Sequence, residues 1–465
     1  MAGGQPPRHC DWIVKHARLL TADTDNSVVA DGALAVADGR FVAVGSSAAV
    51  TSRYAAAKVI DADGGVVHPG FIDAHIHISQ YTARTVLPAM ARASAAGRAA
   101  AMGHWKTCLR PEDENASAAL AAVDMARAGY TGFVDPGTVL DADAVAAAVE
   151  EVRLRAWLTD PYVGDRADFL AERFPSFFGG SFGALWPKTF EEAAARIGGQ
   201  LYRNANPDAL VRGFIGIYGE GTDSLELHAE ALRIADTNGT AFHKHLGYAP
   251  HTIQTLSESY GSPVLQKLAE NGLLSRRVAL VHMNLLRNTD IAILKESGAK
   301  VIWCPYGQLA MIGSGCARGR MATAERGGIP VALATDIPRA FDFGDLGKLA
   351  WSCGQAAGDS VTAEQVFLMR TRHAAAAMGA LSELGSLEVG KRADFAVRFS
   401  SVSAELGLDL FLETMVIGGS EAVKDLFVGG RPILRSGALL TAEPSEKRAQ
   451  AIASVRRIAA TLGLA

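Results

Sequence analysis

The rhythm of hydrophobic and polar positions changes twice along the chain. From about residue 10 to residue 67, apolar residues alternate with polar ones or form short runs that end at Gly or Asp-Gly, as in GALAVADGRFVAVG. A period of two is typical of β-strands, and ADGR at Ala37–Arg40 predicts a hairpin. The segment is therefore predicted to be antiparallel β structure. Strand-and-turn patterns return after about residue 377, and the last segment, SEKRAQAIASVRRIAATLG, predicts a helix.

Between these two ends, short apolar runs alternate with Ala-rich segments of helical period. DADAVAAAVEEVRL leads into RAWLTDPY, and LELHAEALRIADTNG leads into TAFHKHLG. With GFIDAHIH as the first, eight such runs are separated by helices, which predicts an α/β fold of the (β/α)8 TIM-barrel type. We predict that residues 68–376 form the barrel. Residues 1–67 and 377–465 are predicted to form a small β-sandwich domain built from both chain ends, with the terminal helix.

Composition and charge exclude several classes of protein. The chain has 465 residues, of which 49% are hydrophobic and 20% charged, and its formal net charge is -4. This balance gives no electrostatic basis for binding nucleic acid or an anionic membrane. The N-terminal sequence has no signal-peptide pattern, and no apolar run is long enough to cross a bilayer. The five cysteines are scattered without a CxxC motif, which favours a reducing cytoplasm. Cys304 follows the apolar run AKVIW and is predicted to be a packed residue rather than a nucleophile.

Ionisable residues concentrate where the predicted strands end. In a (β/α)8 barrel, the chemistry lies at the carboxyl ends of the strands. Residues two apart on a strand face the same way, so a His-x-His pair directs both imidazoles to one side. The candidates at these ends are His75, His77, His243, His245, His282 and Asp336.

Neutral imidazoles with one carboxylate suit a divalent metal such as zinc or cobalt, with a coordination position left for water. The metal would lower the pKa of that water. Structural alternatives stay open for single residues. Asp336 in TDIP also fits a helix N-cap. His243 either orients a ligand from behind or fills the barrel interior. His104 either lines the pocket with Trp105 or lies in a solvated loop.

At these residues the chain resembles the amidohydrolase superfamily over nearly its whole length. HPGFIDAHIH resembles the first-strand metal motif, FHKHLG the fifth-strand motif, ALVHMN the sixth and ALATD the eighth. GSLEVGKRADFAV is similar to the family's GxLxxGxxAD signature. The resemblance implies a metal site formed by His75, His77, His245, His282 and Asp336. Lys244 is predicted to point away from it, into the layer between strands and helices.

Within the superfamily, the chain most resembles the branch of triazine hydrolases and cytosine-type deaminases, with two departures. Tyr248 stands where that branch has a Glu that shuttles protons in the deaminases, and CPYGQ replaces CPxSN. The fourth strand has no lysine for a carbamylated bridge, which favours one metal per site. The altered fifth-strand motif and the chain length resemble the phenylurea hydrolases and the thiocarbamate hydrolase acting on molinate. This implies hydrolysis of a carbonyl flanked by nitrogen and a leaving amine or thiol, with cobalt or zinc bound.

The expected roles follow from this resemblance. His75, His77, His245 and Asp336 would hold the metal, and Asp336 would act as general base. His282 would ligate the metal or hydrogen-bond the substrate carbonyl oxygen, and Tyr248 would donate a hydrogen bond. Two long loops rich in aromatic, Met and Ala residues predict a small apolar substrate, although the second loop equally suits a subunit interface. A homo-oligomer, dimer or tetramer, is expected by analogy. The alternatives are an aminohydrolase of a heteroaromatic ring and a non-catalytic scaffold.

Overall fold

The computed structural model describes residues 6–85, 103–173, 182–248, 250–313, 319–337, 342–407 and 409–463. The first predicted pocket loop, residues 79–105, therefore lies largely outside the described residues, whereas the structure describes residues 182–190 of the second, residues 176–190. The strands, numbered in chain order, are β1 Arg8–Leu20, β2 Val28–Ala37, β3 Arg40–Ser46, β4 Tyr54–Asp61, β5 Val66–Pro69, β6 Phe71–Asp73, β7 Tyr130–Val134, β8 Arg155–Leu158, β9 Val211–Gly213, β10 Ile215–Gly219, β11 Phe242–Leu246, β12 Val278–His282, β13 Lys300–Trp303, β14 Val331–Leu333, β15 Phe395–Arg398, β16 Val423–Val428, β17 Arg431–Arg435 and β18 Ala438–Leu439.

Strands from both chain ends form a single nine-stranded sheet in the described part of the chain. Its order is β18, β17, β16, β15, β5, β1, β2, β3, and β4 pairs with β1. The sequence predicted a β-sandwich; hydrogen bonds link the described strands into one continuous sheet, and the packing of two layers stays a prediction. The reason for the single sheet is the length of β1, whose first half pairs with β4 and whose end pairs with β5. Both pairings are parallel, so the prediction of purely antiparallel structure was wrong there.

The predicted hairpin is confirmed, because β2 and β3 pair in antiparallel fashion around Asp38 and Gly39. Both turn residues have positive φ, 50° and 73°, as a tight two-residue hairpin requires. The predicted boundary between the N-terminal β segment and the barrel, at residues 67 and 68, falls inside β5. The predicted boundary between the barrel and the C-terminal segment, at residues 376 and 377, falls at the end of the helix Arg372–Ala377.

The middle of the chain forms two parallel sheets, β6 to β9 and β10 to β14. Phe214 lies between β9 and β10, and its N–H donates to Leu158 of β8 over 3.1 Å. The chain therefore passes directly from one sheet to the other. At the far ends, Ile76 bridges to Asp336 in parallel, and Ala74 N–H donates to Leu333 of β14 over 3.2 Å. These contacts bring the first and last strands together and support the prediction of a closed barrel.

Two apolar layers flank these parallel strands. Ile72, Val134, Phe214 and Ile302 are buried in one cluster together with Ala374 and neighbouring residues of the helix Arg372–Ala377. The helices cover the other layer. The helix Leu225–Asn238 is one example, and it is capped by Ser224 and Gly239. Ser224 accepts from Leu227 N–H at the start of the helix. Gly239, with φ 64°, ends it in the left-handed conformation.

The longer helices agree with the predicted ones to within a few residues, except that Pro250–Tyr260, Pro305–Gly313, Leu346–Ala357 and Ala363–Arg370 were not predicted. Among the residues that the structure describes, no helix combines the length and apolar character that a bilayer crossing requires. The helices are Ser47–Arg53, Pro111–Arg127, Ala142–Val152, Ala167–Arg173, Phe190–Arg196, Leu225–Asn238, Pro250–Tyr260, Val264–Glu270, Asn288–Ser297, Pro305–Gly313, Met321–Arg326, Leu346–Ala357, Ala363–Arg370, Arg372–Ala377, Val402–Glu405, Leu410–Leu412 and Pro444–Thr461.

A buried ion pair joins the parallel sheets to the mixed sheet. Arg155 at the start of β8 donates from Nε and NH2 to the two carboxylate oxygens of Asp394, over 2.7 and 2.9 Å. The same carboxylate accepts from Gly429 N–H over 2.7 Å. Asp394 is the aspartate of the GxLxxGxxAD signature, so in this chain the motif holds the two parts of the molecule together.

Candidate metal centre

The structure brings together five ionisable residues from four separate strand ends. His75 and His77 follow β6, His245 lies in β11, His282 ends β12 and Asp336 follows β14. His282 and Asp336 both adopt positive φ, 81° and 62°. Such values are uncommon outside glycine and cluster at functional sites. The residues are therefore held in a geometry that local sequence preference alone would not select.

The candidate ligand atoms lie close enough to share one cation. The Nε2 atoms of His75 and His245 are 3.1 Å apart. Asp336 Oδ1 lies 3.1 Å from His77 Nε2 and 3.8 Å from His75 Nε2. Ligand atoms of His75, His77 and His245 all fall within 4.8 Å of one another. Two imidazole nitrogens at hydrogen-bond distance must share a proton or a cation, and this donor set suits a divalent metal.

The other ring nitrogens of two histidines lie next to hydrogen-bond acceptors. His245 Nδ1 lies 2.6 Å from the carbonyl oxygen of Tyr218, which only accepts, so Nδ1 carries the proton. His77 Nδ1 lies 3.1 Å from Thr138 Oγ1. The Thr138 hydroxyl also lies 3.2 Å from an oxygen of the Asp135 carboxylate, to which it donates, so it accepts from His77. His245 therefore directs an unprotonated Nε2 toward the cluster. His77 does the same whenever its Nδ1 carries the proton, which is the tautomer that a metal ligand requires.

Burial and mutual repulsion disfavour the charged form of the His75, His245 and His282 imidazoles. Burial lowers the pKa of His75 and of His245 well below the usual value, and neighbouring imidazoles add to the effect. The pKa of His282 falls to about 4, mainly through burial. For Asp336, burial raises the pKa, but the hydrogen bond with His77 and the nearby imidazoles outweigh it and lower the pKa. Neutral imidazoles beside an ionised carboxylate are the protonation states that bind a divalent cation.

Two buried aspartates that the sequence analysis did not single out position these ligands. Asp135 follows β7 and accepts from Ile78 N–H over 3.0 Å and from Thr138 N–H over 2.7 Å. Asp73 in β6 accepts from His75 N–H over 3.2 Å and from the Thr335 hydroxyl over 2.6 Å. Asp73 thereby ties the first strand end to the last. The available signal was an Asp at the end of a buried strand in FIDAH and VDPGT.

Tyr248 lies beside His282, with 4.9 Å between the ring centres. Its N–H donates to Glu220 Oε1 over 2.8 Å, and its carbonyl accepts from Asn284 Nδ2 over 3.2 Å. Glu220 is buried, with φ 53°. A Cβ on Gly307 would lie 3.2 Å from the Tyr248 ring, so the absence of a side chain there leaves room for that ring. Tyr248 is thus held at the centre by buried groups on three segments.

The remaining candidates lie elsewhere. His243 is buried and its Nε2 is 3.0 Å from the carbonyl oxygen of Ala377. Its described hydrogen bond is thus directed to the inner apolar layer, not to a ligand. Lys244 Nζ contacts Asp223 Oδ2 at 2.5 Å, in the layer between strands and helices, as predicted. His104 is exposed, and Trp105 packs in a separate cluster with Ile458.

An aromatic wall leads away from the centre. Tyr218 packs on His245 with 4.9 Å between the ring centres, and Trp186 lies 4.9 Å from Tyr218. Tyr162 and Phe182 continue the wall, 5.2 Å apart. Phe182 and Trp186 belong to residues 182–190, the described part of the second loop that the sequence predicts to line the pocket. Tyr162, Phe182 and Trp186 form a buried apolar cluster, and the partly exposed Tyr218 packs against it beside His245.

The chain belongs to the amidohydrolase family, whose model matches residues 66–433. It is 25% identical over 442 residues to 5-methylthioadenosine/S-adenosylhomocysteine deaminase of Bacillus thuringiensis (strain Al Hakam), covering 91% of this chain and 93% of the relative. It is 26% identical over 409 residues to 5'-deoxyadenosine deaminase of Methanosarcina mazei, covering 83% and 84%.

Solved structures show the same fold. An adenosine deaminase from Xanthomonas campestris with bound zinc superposes with a TM-score of 0.82 at 23% identity, covering 97% of this chain and 99% of that one. Atrazine chlorohydrolase from Arthrobacter aurescens TC1, complexed with zinc, superposes with a TM-score of 0.81 at 20% identity. The superposition covers 96% of this chain and 100% of that one. The protein is therefore a metal-dependent hydrolase of the amidohydrolase superfamily, with deaminases and triazine hydrolases as neighbours. The resemblance to phenylurea and molinate hydrolases stays a prediction.

Proposed function

We propose that the protein hydrolyses a C–N or C–S bond at the carbonyl carbon of a thiocarbamate, urea or carbamate. The observation that carries the proposal is the identity of the group beside His282, which is the phenol of Tyr248. Among the described residues, Asp336 is the carboxylate whose oxygen lies within 4 Å of the ring nitrogens of His75 and His77. One carboxylate suffices to take a proton from water, whereas ring deamination also requires proton delivery to the ring.

The proposed centre lies at the rim of the predicted (β/α)8 barrel. His75, His77, His245 and Asp336 would hold zinc or cobalt, one ion per site, with His282 as a further ligand or a hydrogen-bond donor. A bound metal of this kind lowers the pKa of water and polarises a carbonyl. Asp336, ionised and beside His77, accepts the proton of the attacking water. His282 donates an N–H to the carbonyl oxygen as negative charge develops there.

The substrate is proposed to be a small apolar organic molecule, because the described surroundings of His245 are rich in aromatic side chains. The Tyr248 hydroxyl lies on the His282 side of the site and donates a hydrogen bond to the same substrate. A phenol is a poor base at neutral pH because its ordinary pKa is about 10, so the role assigned to Tyr248 is donation. A thiolate leaves more readily than an amine, so thiocarbamates fit this set of groups best.

A hydrolysis screen tests the proposal. The protein, reconstituted separately with Co(II) and Zn(II), is assayed with S-alkyl thiocarbamates, N-aryl ureas and carbamates for thiol or amine release. Asp336→Asn serves as the inactive control. Release of thiol or amine that Asp336→Asn abolishes supports the proposal. Turnover of none of the three classes, with metal bound, refutes it.

Deamination of an aminated heteroaromatic ring is the second candidate, because the deaminase relatives align over most of the chain. Ammonia release from adenosine-type or aminotriazine substrates, without thiol or amine release from the first series, would establish it. A non-catalytic scaffold would bind no metal by elemental analysis.

We further propose that the protein is a cytoplasmic homo-oligomer, a dimer or a tetramer. Light scattering of the purified protein measures the mass of the oligomer.

A further inference from the structure

A second group of metal-binding side chains lies at the strand ends, beside the group formed by His75, His77 and His245. Its members are His282, Cys304 and Asp336, whose ligand atoms all fall within 4.8 Å of one another. His282 and Asp336 already belong to the candidate metal centre, whereas Cys304 does not. The sequence predicts that Cys304 is a packed residue, and the structure adds that its sulfur lies beside two candidate metal ligands.

The position of Cys304 is fixed by the elements on either side of it. It directly follows β13, and the helix Pro305–Gly313 begins at the next residue. Its side chain is free, fully buried and packed in the same apolar cluster as Ile302 and Ala334. Its carbonyl accepts from Gln308 N–H over 3.1 Å in the first turn of the helix. The thiol is therefore held at the carboxyl end of a strand, where the candidate ligands lie.

The carboxylate of Asp336 has one oxygen on each side of the centre. Its Oδ1 lies 3.1 Å from His77 Nε2 and 3.8 Å from His75 Nε2. Its Oδ2 lies on the side of Gly307, 3.7 Å from the position that a Cβ would occupy there. Gly307 is three residues after Cys304 in the chain. One carboxylate can therefore contact a cation through each of its oxygens, as it does in two-metal sites.

His282 supplies the imidazole of the second group. It is buried, and its Nδ1 has no hydrogen-bond partner among the described residues. A buried polar atom without a partner is costly, and a cation bound to an imidazole nitrogen satisfies that atom. Imidazole, thiolate and carboxylate are donors that zinc and cobalt accept. The thiolate and the carboxylate also supply two negative charges, which offset the repulsion between two neighbouring divalent ions.

We propose that His282, Cys304 and Asp336 form a second position for a divalent cation such as zinc or cobalt, with Asp336 bridging it to the first. A cysteine thiol has an ordinary pKa of about 8.5 and is protonated at neutral pH. Binding therefore breaks the S–H bond, forms a sulfur–metal bond and releases the proton to solvent. Because of this cost, one ion occupies the centre at limiting metal, and a second binds only in excess. The inference goes beyond the proposed function and does not depend on the substrate.

Titration of the metal-free protein with Co(II), followed by absorption, tests the second position without any substrate. A Co(II)–thiolate bond gives a charge-transfer band in the near ultraviolet, whereas Co(II) bound by imidazole and carboxylate gives only weak visible bands. We expect wild type to show visible bands with the first equivalent and the ultraviolet band with the second. Cys304→Ser should keep the visible bands of the first equivalent, lose the ultraviolet band, and release about one proton fewer per chain.

Cys353→Ser is the matched control, because Cys353 is also free and fully buried, and its thiol donates to Gln308 Oε1 over 3.5 Å. It should keep both sets of bands, and thermal unfolding establishes that both variants are folded. The second position is overturned if the ultraviolet band is absent from wild type, appears with the first equivalent, or survives in Cys304→Ser. Loss of the visible bands in Cys304→Ser would equally overturn it. Failure of the proposed function appears only in the hydrolysis screen, so the two failures are distinguishable.

Discussion

Thr138→Val removes one hydrogen bond behind a candidate metal ligand and leaves the side-chain shape nearly unchanged. Thr138 Oγ1 accepts from His77 Nδ1 at 3.1 Å and donates to Asp135. Without this acceptor, the Nδ1 proton of His77 is buried and unpaired, which costs about 1–3 kcal/mol. Partners of this kind typically contribute 10- to 100-fold to metal affinity. We therefore expect Thr138→Val to weaken zinc binding by about 1.4–2.8 kcal/mol.

The effect should be smaller in the metal-free protein. There His77 can carry its proton on Nε2 and donate it to Asp336, 3.1 Å away. In the metal-bound state Nε2 must be unprotonated, so the proton is confined to Nδ1, where the substituted valine side chain offers no acceptor. Thermal unfolding of apo and zinc-loaded protein should show that the substitution destabilises the loaded form more. Zinc affinity is measured by competition with a chelating dye at pH 7.

Thr371→Val is the matched control for Thr138→Val. Thr371 is also fully buried, and its hydroxyl donates over 2.7 Å to Phe367 within a helix, away from the candidate ligands. It should lower the stability of apo and loaded protein equally and leave zinc affinity unchanged. If Thr138→Val binds zinc as tightly as Thr371→Val does, the tautomer assignment for His77 is wrong, and with it the view that Asp135 and Thr138 position a ligand.

Three further predictions concern other parts of the molecule. Gly307→Ala places a Cβ 3.2 Å from the Tyr248 ring, so we expect a raised KM in steady-state kinetics with little change in thermal unfolding. Asp394→Ala leaves the buried guanidinium of Arg155 without its partner and should cost about 3–5 kcal/mol in urea unfolding. Burial raises the pKa of Glu220 from 4.5 to about 7, so the folded state binds more protons than the unfolded state in that interval. The free energy of unfolding should therefore fall as pH rises from about 4.5 to about 7, and Glu220→Gln should remove this part of the pH dependence.

Each of these has a control and a contradicting result. Gly45→Ala adds a Cβ where no atom lies within 4 Å, and a similar KM for both glycine variants would exclude crowding at the site. Asp143→Ala breaks an ion pair whose carboxylate is 81% exposed, and an equal loss of stability would contradict the role given to the buried pair. An unchanged pH profile in Glu220→Gln would show that this carboxylate is ionised throughout the interval.

Local sequence pattern was sufficient for the strands that carry the site. The runs around His75, His245 and His282 combine a short buried strand with a polar residue at its end, and each strand lies within a few residues of its predicted position. A period of two or 3.6 residues depends on neighbours in the chain, so it can be read without the fold. The helix Pro250–Tyr260, by contrast, begins just after Tyr248 in a segment with little apolar periodicity, so no comparable signal predicted it.

The alternation of strands and helices and the ionisable residues at the strand ends follow from the sequence alone, because both are properties of short segments. Which of these residues meet was decided by the tertiary structure. His243 and His245 lie on one face of the same strand, yet only His245 contacts the cluster. His243 lies two residues earlier in the strand, where its side chain contacts Ala377 of the apolar interior. The position of Asp135 likewise depends on contacts between segments far apart in the chain. Such contacts are set by the packing of the whole molecule, which no local periodicity encodes.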